Sequence, residues 1–237
     1  MAVKTINSVD NALAVLESLA AAQPIGVSAL ARAVDLDKNA VQRILVTLGQ
    51  TGWIRQLDSG EWVITSKALQ VGTHFTSGLR EVAHPHLVEL QRDTRETVVL
   101  FAREGMTMVV LDSIESTQAL RMTVPVGMVV PMRQTAAFDA FLAPDERSQL
   151  PPTPAGTASP ASVEAVRRDG YFVIDELYEN SIAAGAPISD GRGVPIATIT
   201  IVGPRVRVTK AAARQFGLQA ARTAATITAA VAPLRLR

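Results

Sequence analysis

The stretch SALARAVDLDKNAVQRILVTLGQTGWIRQLDSGEWVIT, Ser28 to Thr65, decides the fold. Ser28 is placed to cap a helix, its hydroxyl accepting from the first open backbone amides. Leu30, Ala31 and Val34 follow at helical spacing and give one apolar face. Asp35-Leu36-Asp37 breaks that pattern, and Asp37 offers a second cap. From Lys38 the period restarts: Val41, Ile44, Leu45 and Leu48 point inward, while Lys38, Asn39, Gln42 and Arg43 point outward. Gly52 closes this helix, where a left-handed residue is usual. Trp53-Ile54-Arg55-Gln56-Leu57 and Glu61-Trp62-Val63-Ile64-Thr65, joined by Asp58-Ser59-Gly60, read as a hairpin. Two short helices at a tight turn followed by a hairpin make a winged helix-turn-helix.

Such a unit has a use for polar residues on its second helix. The major groove of duplex DNA admits an α-helix, and Asn or Gln pairs two-pronged with adenine as Arg or Lys does with guanine. Lys38, Asn39, Gln42 and Arg43 offer those groups from the N-terminal half of the helix, the half that reaches the groove floor. Ser28 and, on the wing, Arg55 complete the candidate DNA-binding set. A solvated helix face has the same composition; the wing and the spacing together favour DNA.

The chain resembles the IclR-type bacterial transcriptional regulators. The likeness rests on Ser8-Val9-Asp10-Asn11-Ala12-Leu13, Leu30-Ala31-Arg32, Val41-Gln42-Arg43-Ile44-Leu45 and Gly52-Trp53-Ile54-Arg55. It continues through Leu79-Arg80-Glu81-Val82-Ala83, Glu96-Thr97-Val98, Pro131-Met132, Thr135-Ala136, Gly170-Tyr171 and Gly203-Pro204. The resemblance implies an α+β protein in which a winged helix-turn-helix is joined by a helical linker to a GAF-like antiparallel-sheet domain that binds an effector. It sets the domains at 1–65, 66–79 and 80–237, with residues 4–8 as an arm between the DNA-binding domains of a dimer.

Length and composition agree. A chain of 237 residues, 48% hydrophobic, suits one large or two modest domains with a real core. The absence of cysteine excludes disulfides and thiolate chemistry, and fits a reducing cytoplasm. The N-terminus lacks the order of a signal peptide, and no apolar run approaches the length of a membrane span. Charge is less obliging. Residues 1–65 set Lys4, Arg32, Lys38, Arg43 and Arg55 against Asp10, Glu17, Asp35, Asp37, Asp58 and Glu61. Phosphate neutralisation supplies much of a DNA binder's affinity, so one copy should grip weakly. Two copies on a palindromic operator recover affinity through effective concentration, so a homodimer is expected, and the resemblance implies a homotetramer as the other state.

Elsewhere, Ser8 is expected to cap a first helix with Val9, Ala12, Leu13, Leu16 and Leu19 buried. Ser66 opens a linker helix towards Gly78, and a further helix runs from about Leu79 to Asp93. Thr97–Ala102 and Met106–Asp112 form a hairpin, and Leu120–Val124 makes a third strand. Tyr171–Ile174, Ile182–Ile188 and Val194–Val202 add three more, and Thr209 caps a final alanine-rich helix. Residues 144–161 are too rich in Pro, Ser and Thr to hold a regular element for long. His84-Pro85-His86 lacks a third ligand nearby, so neither a metal nor any cofactor is expected. From residue 191 onward there is no acid, while Arg192, Arg205, Arg207, Lys210, Arg214, Arg222, Arg235 and Arg237 are basic. A solvated face, or pairing with acids elsewhere, accounts for them better than a second nucleic-acid surface does.

The resemblance also implies an effector loop at Arg133-Gln134-Thr135-Ala136-Ala137-Phe138-Asp139-Ala140. Here Phe138 and Asp139 replace the family's glycine and lysine, which disfavours a small anion. Gln134, Thr135, Ala136, Ala137, Leu120, Met122, Asp175, Ala184 and Thr200 are the candidate effector-binding residues. Their apolar balance predicts an apolar, aromatic ligand or a cavity already filled. No nucleophile elbow, phosphate loop or metal cluster points to catalysis. The competing reading is a winged helix that binds protein, with a C-terminal domain that binds no ligand.

Overall fold

A computed structural model describes residues 5–72, 74–75, 78–105, 107–131, 166, 168–175 and 180–233. The chain divides into two compact units, Met1–Thr76 and Ser77–Arg237. The Gln134–Ala137 loop and residues 144–161 lie outside the described residues.

The first unit holds α1 (Asn7–Ala22), α2 (Val27–Ala33), α3 (Lys38–Gln50), the hairpin β1 (Ile54–Gln56) and β2 (Trp62–Ile64), and α4 (Lys67–Gly72). Val15, Leu19, Leu30, Ala31, Val41, Leu45, Ile54 and Trp62 form its core. The wing is tied back to the chain before α2. Ile25 and Trp62 exchange backbone hydrogen bonds at 3.2 and 2.9 Å, and the Gln23 side chain accepts from the Ile64 amide at 2.8 Å.

Both serine caps need correction. Ile6 occupies the cap position of α1 and Gly26 that of α2, each without a side-chain bond, so Ser8 and Ser28 are the second residues of their helices. The extended backbone of Gly26 suffices: its carbonyl accepts from Ala29 and Leu30, each at 3.1 Å. The buried stripe of α1 is only partly the expected one: Leu19 is buried and Leu16 packs against the core as expected, but Val15 joins them and the first turns differ. Val15 and Leu19, four residues apart, face the core, while Val9 and Leu13 are 50% and 53% exposed. Both stripes obey helical spacing; only the packing of α2 and α3 selects between them.

The second unit is a six-stranded antiparallel sheet in the order β5-β4-β3-β8-β7-β6. Its strands are β3 (Thr97–Glu104), β4 (Thr107–Ile114), β5 (Val129–Pro131), β6 (Phe172–Asp175), β7 (Ser181–Ser189) and β8 (Pro195–Pro204). Helices α5 (Gly78–Thr94) and α6 (Lys210–Val231, the last helix) cover one face. There Leu79, Ala83, Leu87, Val98, Leu100, Ala186, Ile199, Ala220 and Ile227 close a continuous core. Thr209 caps α6 as expected, its hydroxyl accepting from the Ala212 amide at 3.1 Å.

Leu120–Val124 is not a strand; β5 at Val129–Pro131 takes the edge beside β4. Side chains occupy the carbonyls that a ladder would use. Thr97 Oγ1 donates to the Met122 carbonyl at 2.6 Å and Arg207 Nη2 to that of Leu120 at 3.0 Å. Residues 115–128 thus cross as a strap on the face away from the helices, pinned also where the Ser116 amide donates to Thr97 Oγ1.

Candidate DNA-reading and effector-binding surfaces

Helix α3, the candidate reading helix, is fixed at both ends by its own sequence. Asp37 accepts from the amides of Asn39 and Ala40 at 2.8 and 3.1 Å, which sets where α3 begins. At the other end Gly52 takes φ +79°, with Gly52 N–H on the Gly49 carbonyl and Trp53 N–H on that of Leu48. That paired pattern is a Schellman closure. Val41 and Leu45 are fully buried, which turns Lys38, Asn39, Gln42 and Arg43 to solvent. Arg55 is exposed on the wing. Lys38, Arg43 and Arg55 make no ion pair among the described residues. By contrast Lys67 is engaged, donating to the Thr51 carbonyl at 2.6 Å with its charge 5.4 Å from the Trp53 ring centre. A groove of about 380 Å³ runs between α1 and α3, lined in part by Ser8, Asn11, Arg43 and Thr47.

In the second unit the strand register separates the candidates. Val99, Phe101, Met108, Val110, Ala183 and Val202 gather on the strap face with Val124 and Val130, and Met122 packs against them. Thr200 pairs with Val99 and Gly185, so it shares that face and is buried. Ala184 pairs with Ile201 and packs with Ile182, Val208 and Ala213 on the helix face. It therefore lies opposite Met122 and Thr200; Ala183 and Gly185 are the β7 residues beside them. Asp175 is displaced by the same one-residue parity. Its carboxylate binds Arg205 at 2.9 Å and Lys210 at 3.0 Å, at the start of α6. The Lys210 ammonium, with help from Arg205, holds the Asp175 carboxyl below its ordinary range. Leu120 is 58% exposed and stands apart from the apolar cluster.

A row of side chains across the strap face was not evident in the sequence. Phe172, Gly185, Thr200, Val99 and Ser113 are successive cross-strand partners. The Phe172 ring covers Gly185 so closely that a Cβ there would meet it at 2.5 Å. Also missed was the cluster behind Ser113. Asp112, 3% exposed, receives His84 Nδ1 at 2.6 Å and stands 3.7 Å from Arg80 Nη2. Helical i,i+4 spacing puts Arg80 and His84 on one face of α5, but no spacing rule links them to Asp112; only the docking of α5 on β4 does.

The basic C-terminal stretch largely finds acids. Arg192 pairs with Asp190 at 2.9 Å, and Arg205 and Lys210 pair with Asp175. Arg207 grips the buried Glu96 two-pronged at 2.6 and 2.8 Å, which pushes the guanidinium pKa up. Among the described residues no cluster of three His, Asp or Glu side chains is placed to hold a metal ion. No described helix is long and apolar enough to cross a membrane.

The profile of the IclR helix-turn-helix domain matches residues 8–58, and that of the bacterial transcriptional regulator IclR C-terminal domain matches residues 74–153. With the "Probable transcriptional regulator SauR" of Cupriavidus necator the chain is 30% identical over 219 residues, spanning 84% of this chain and 86% of that one. The chain belongs to the IclR family. The transcriptional repressor IclR of Escherichia coli is 28% identical over 251 residues, covering 97% of this chain and 92% of its own. In fold, this IclR-family chain matches an IclR homologue from Microbacterium hydrocarbonoxydans solved in complex with 4-hydroxybenzoate. The TM-score is 0.75 at 19% identity, over 94% of this chain and 99% of that one. The α+β architecture with an N-terminal helix-turn-helix is thus the family's own, and this chain is a DNA-binding transcriptional regulator.

Proposed function

We propose that this IclR-family protein acts as a repressor, a homodimer or homotetramer on a palindromic operator, released or engaged by a small organic effector. In this reading residues 1–65 read DNA, 66–79 link, and 80–237 bind the effector. The carrying observation is the capped reading helix, which presents Lys38, Asn39, Gln42 and Arg43 to solvent without ion-pair partners among the described residues. Pairing of two copies is supported by Ile6, at the cap of α1, with Val9 and Leu13 on the helix, an apolar stripe left 65%, 50% and 53% exposed. Repression is supported by the repressor among the relatives, and an aromatic effector by the apolar strap face and the 4-hydroxybenzoate complex of the Microbacterium protein.

A ligand sets operator affinity only by binding one arrangement of the dimer better than the other. The test is retention of DNA from upstream of the protein's own gene. Gln42→Ala and Arg43→Ala are each expected to weaken binding by roughly 1–3 kcal/mol and relax sequence preference. Sedimentation should find dimers or tetramers at the concentrations that bind. Unchanged retention by both variants favours the second reading, a winged helix that binds protein. The excess of acids over bases in residues 1–65 speaks for that alternative.

A further inference from the structure

The pairing of β3 with β4 slips by one residue between Leu100 and Phe101. Val110 faces Phe101 and Asp112 faces Leu100, so Leu111 is the extra residue of a bulge. Without the slip, Asp112 would lie on the strap face. With it, Asp112 turns to α5 and Ser113 turns to the strap face beside Val99. Ser113 Oγ is closed off from solvent and has no hydrogen-bond partner among the described residues. A buried hydroxyl left unmatched is costly and calls for an explanation. The two neighbours are joined directly, because the Ser113 amide donates to Asp112 Oδ1 at 3.0 Å. Asp112 Oδ2 holds His84 at 2.6 Å, and Arg80 stands 3.7 Å from Oδ1. His84 and Arg80 sit in the first half of α5, the helix with which the second unit begins.

We propose that Ser113 and Asp112 form one coupling point through the sheet. Ser113 Oγ hydrogen-bonds a hydroxyl or other neutral polar group on an apolar effector, and Asp112 passes the change to α5 through His84 and Arg80. This rests on the effector reading above and deepens it. The ligand class follows from the row: Phe172, Gly185, Thr200, Val99 and Ser113 supply hydroxyls and apolar surface but no charge. A group bound at Ser113 pulls on the backbone amide that steadies the carboxylate. The grip on α5 then differs between the free and bound states, which is what a coupling free energy requires.

The experiment uses the full chain with 4-hydroxybenzoate and, as the twin lacking the phenol, benzoate. Wild type is expected to bind 4-hydroxybenzoate more tightly than benzoate, and the ligand to change amide exchange along Gly78–Thr94. Ser113→Ala should raise the melting temperature of the free protein, since an unmatched hydroxyl is gone, yet lose about tenfold in affinity for 4-hydroxybenzoate and little for benzoate. Asp112→Asn should still bind while the ligand-dependent change in α5 disappears. Should that variant fail to fold, His84→Ala gives the same readout, because the His84 side chain is half exposed. Wild-type binding that Ser113→Ala leaves intact overturns the inference alone, as does an α5 response that survives in the Asp112 or His84 variant. Wild type indifferent to both acids at millimolar concentration refutes the aromatic-effector reading, and this inference with it.

Discussion

The two units assemble their candidate sites in opposite ways. In the first, Lys38, Asn39, Gln42 and Arg43 follow directly on Asp37, the residue that caps their helix, and Gly52 ends the same helix. In the second, Phe172, Gly185, Thr200, Val99 and Ser113 come from five strands and meet only through the ladder. A site on one helix survives a boundary error of one residue. A site spread across strands does not, because one step along a strand moves a side chain to the other face.

The largest effect should therefore come from the core that holds the strands in register. Leu100 is fully buried between the sheet and its helices. Leu100→Ala is expected to cost the second unit roughly 2–5 kcal/mol, read as lost amide protection in β3, β4 and β8. A loss below about 1 kcal/mol would mean that the helix-covered face does not carry the sheet.

A smaller test lies in the first unit, where local rules suffice. Asp37→Ala should cost about 1 kcal/mol through loss of the cap. Ser28→Ala, at an exposed position that caps nothing, should stay within about 0.5 kcal/mol. Both of the chain's tryptophans, Trp53 and Trp62, lie in this unit, so their fluorescence during denaturation reports it selectively. Equal losses from the two variants would erase the distinction between a real cap and a serine one residue inside its helix.

The same contrast explains what the sequence made legible. Asp37, Gly52, the hairpin around Gly60 and the Thr209 cap were readable because each acts on chain neighbours within a few residues. The first turns of the α1 stripe were not, since Val9-Leu13 and Val15-Leu19 are equally periodic. Asp175 and Ala184 turn to the helix face, whereas their neighbours Ile174 and Ala183 belong to the strap-face cluster. Nothing local in β6 or β7 fixes that parity. It comes for β6 from pairing with β7, for β7 from pairing with β8, and for β8 from pairing with β3. The bulge at Leu111 is the extreme case, for it reverses the facing of Asp112 and Ser113 without any glycine or proline to mark it.

The smallest expected effect concerns the surface of the second unit in acid. Asp190 stitches the turn between β7 and β8, accepting from the Val194 and Arg192 amides, each at 2.9 Å. Those amides, the Val194 one foremost, together with the Arg192 guanidinium, hold its carboxyl below the ordinary value, and Lys210 with Arg205 does the same for Asp175. A carboxyl whose folded pKa is depressed adds stability that is complete well above the unfolded value, near 3.9. That contribution is lost as pH falls from about 4 through the lower folded value. Wild type should therefore show a falling melting temperature between about pH 5 and pH 3, small because both carboxylates meet solvent. Asp190→Asn should melt lower than wild type at pH 7, and the gap should narrow as the pH falls towards 3. Parallel curves across that range would show that the turn is held by its backbone alone, and that in this unit even the local contacts matter less than the ladder.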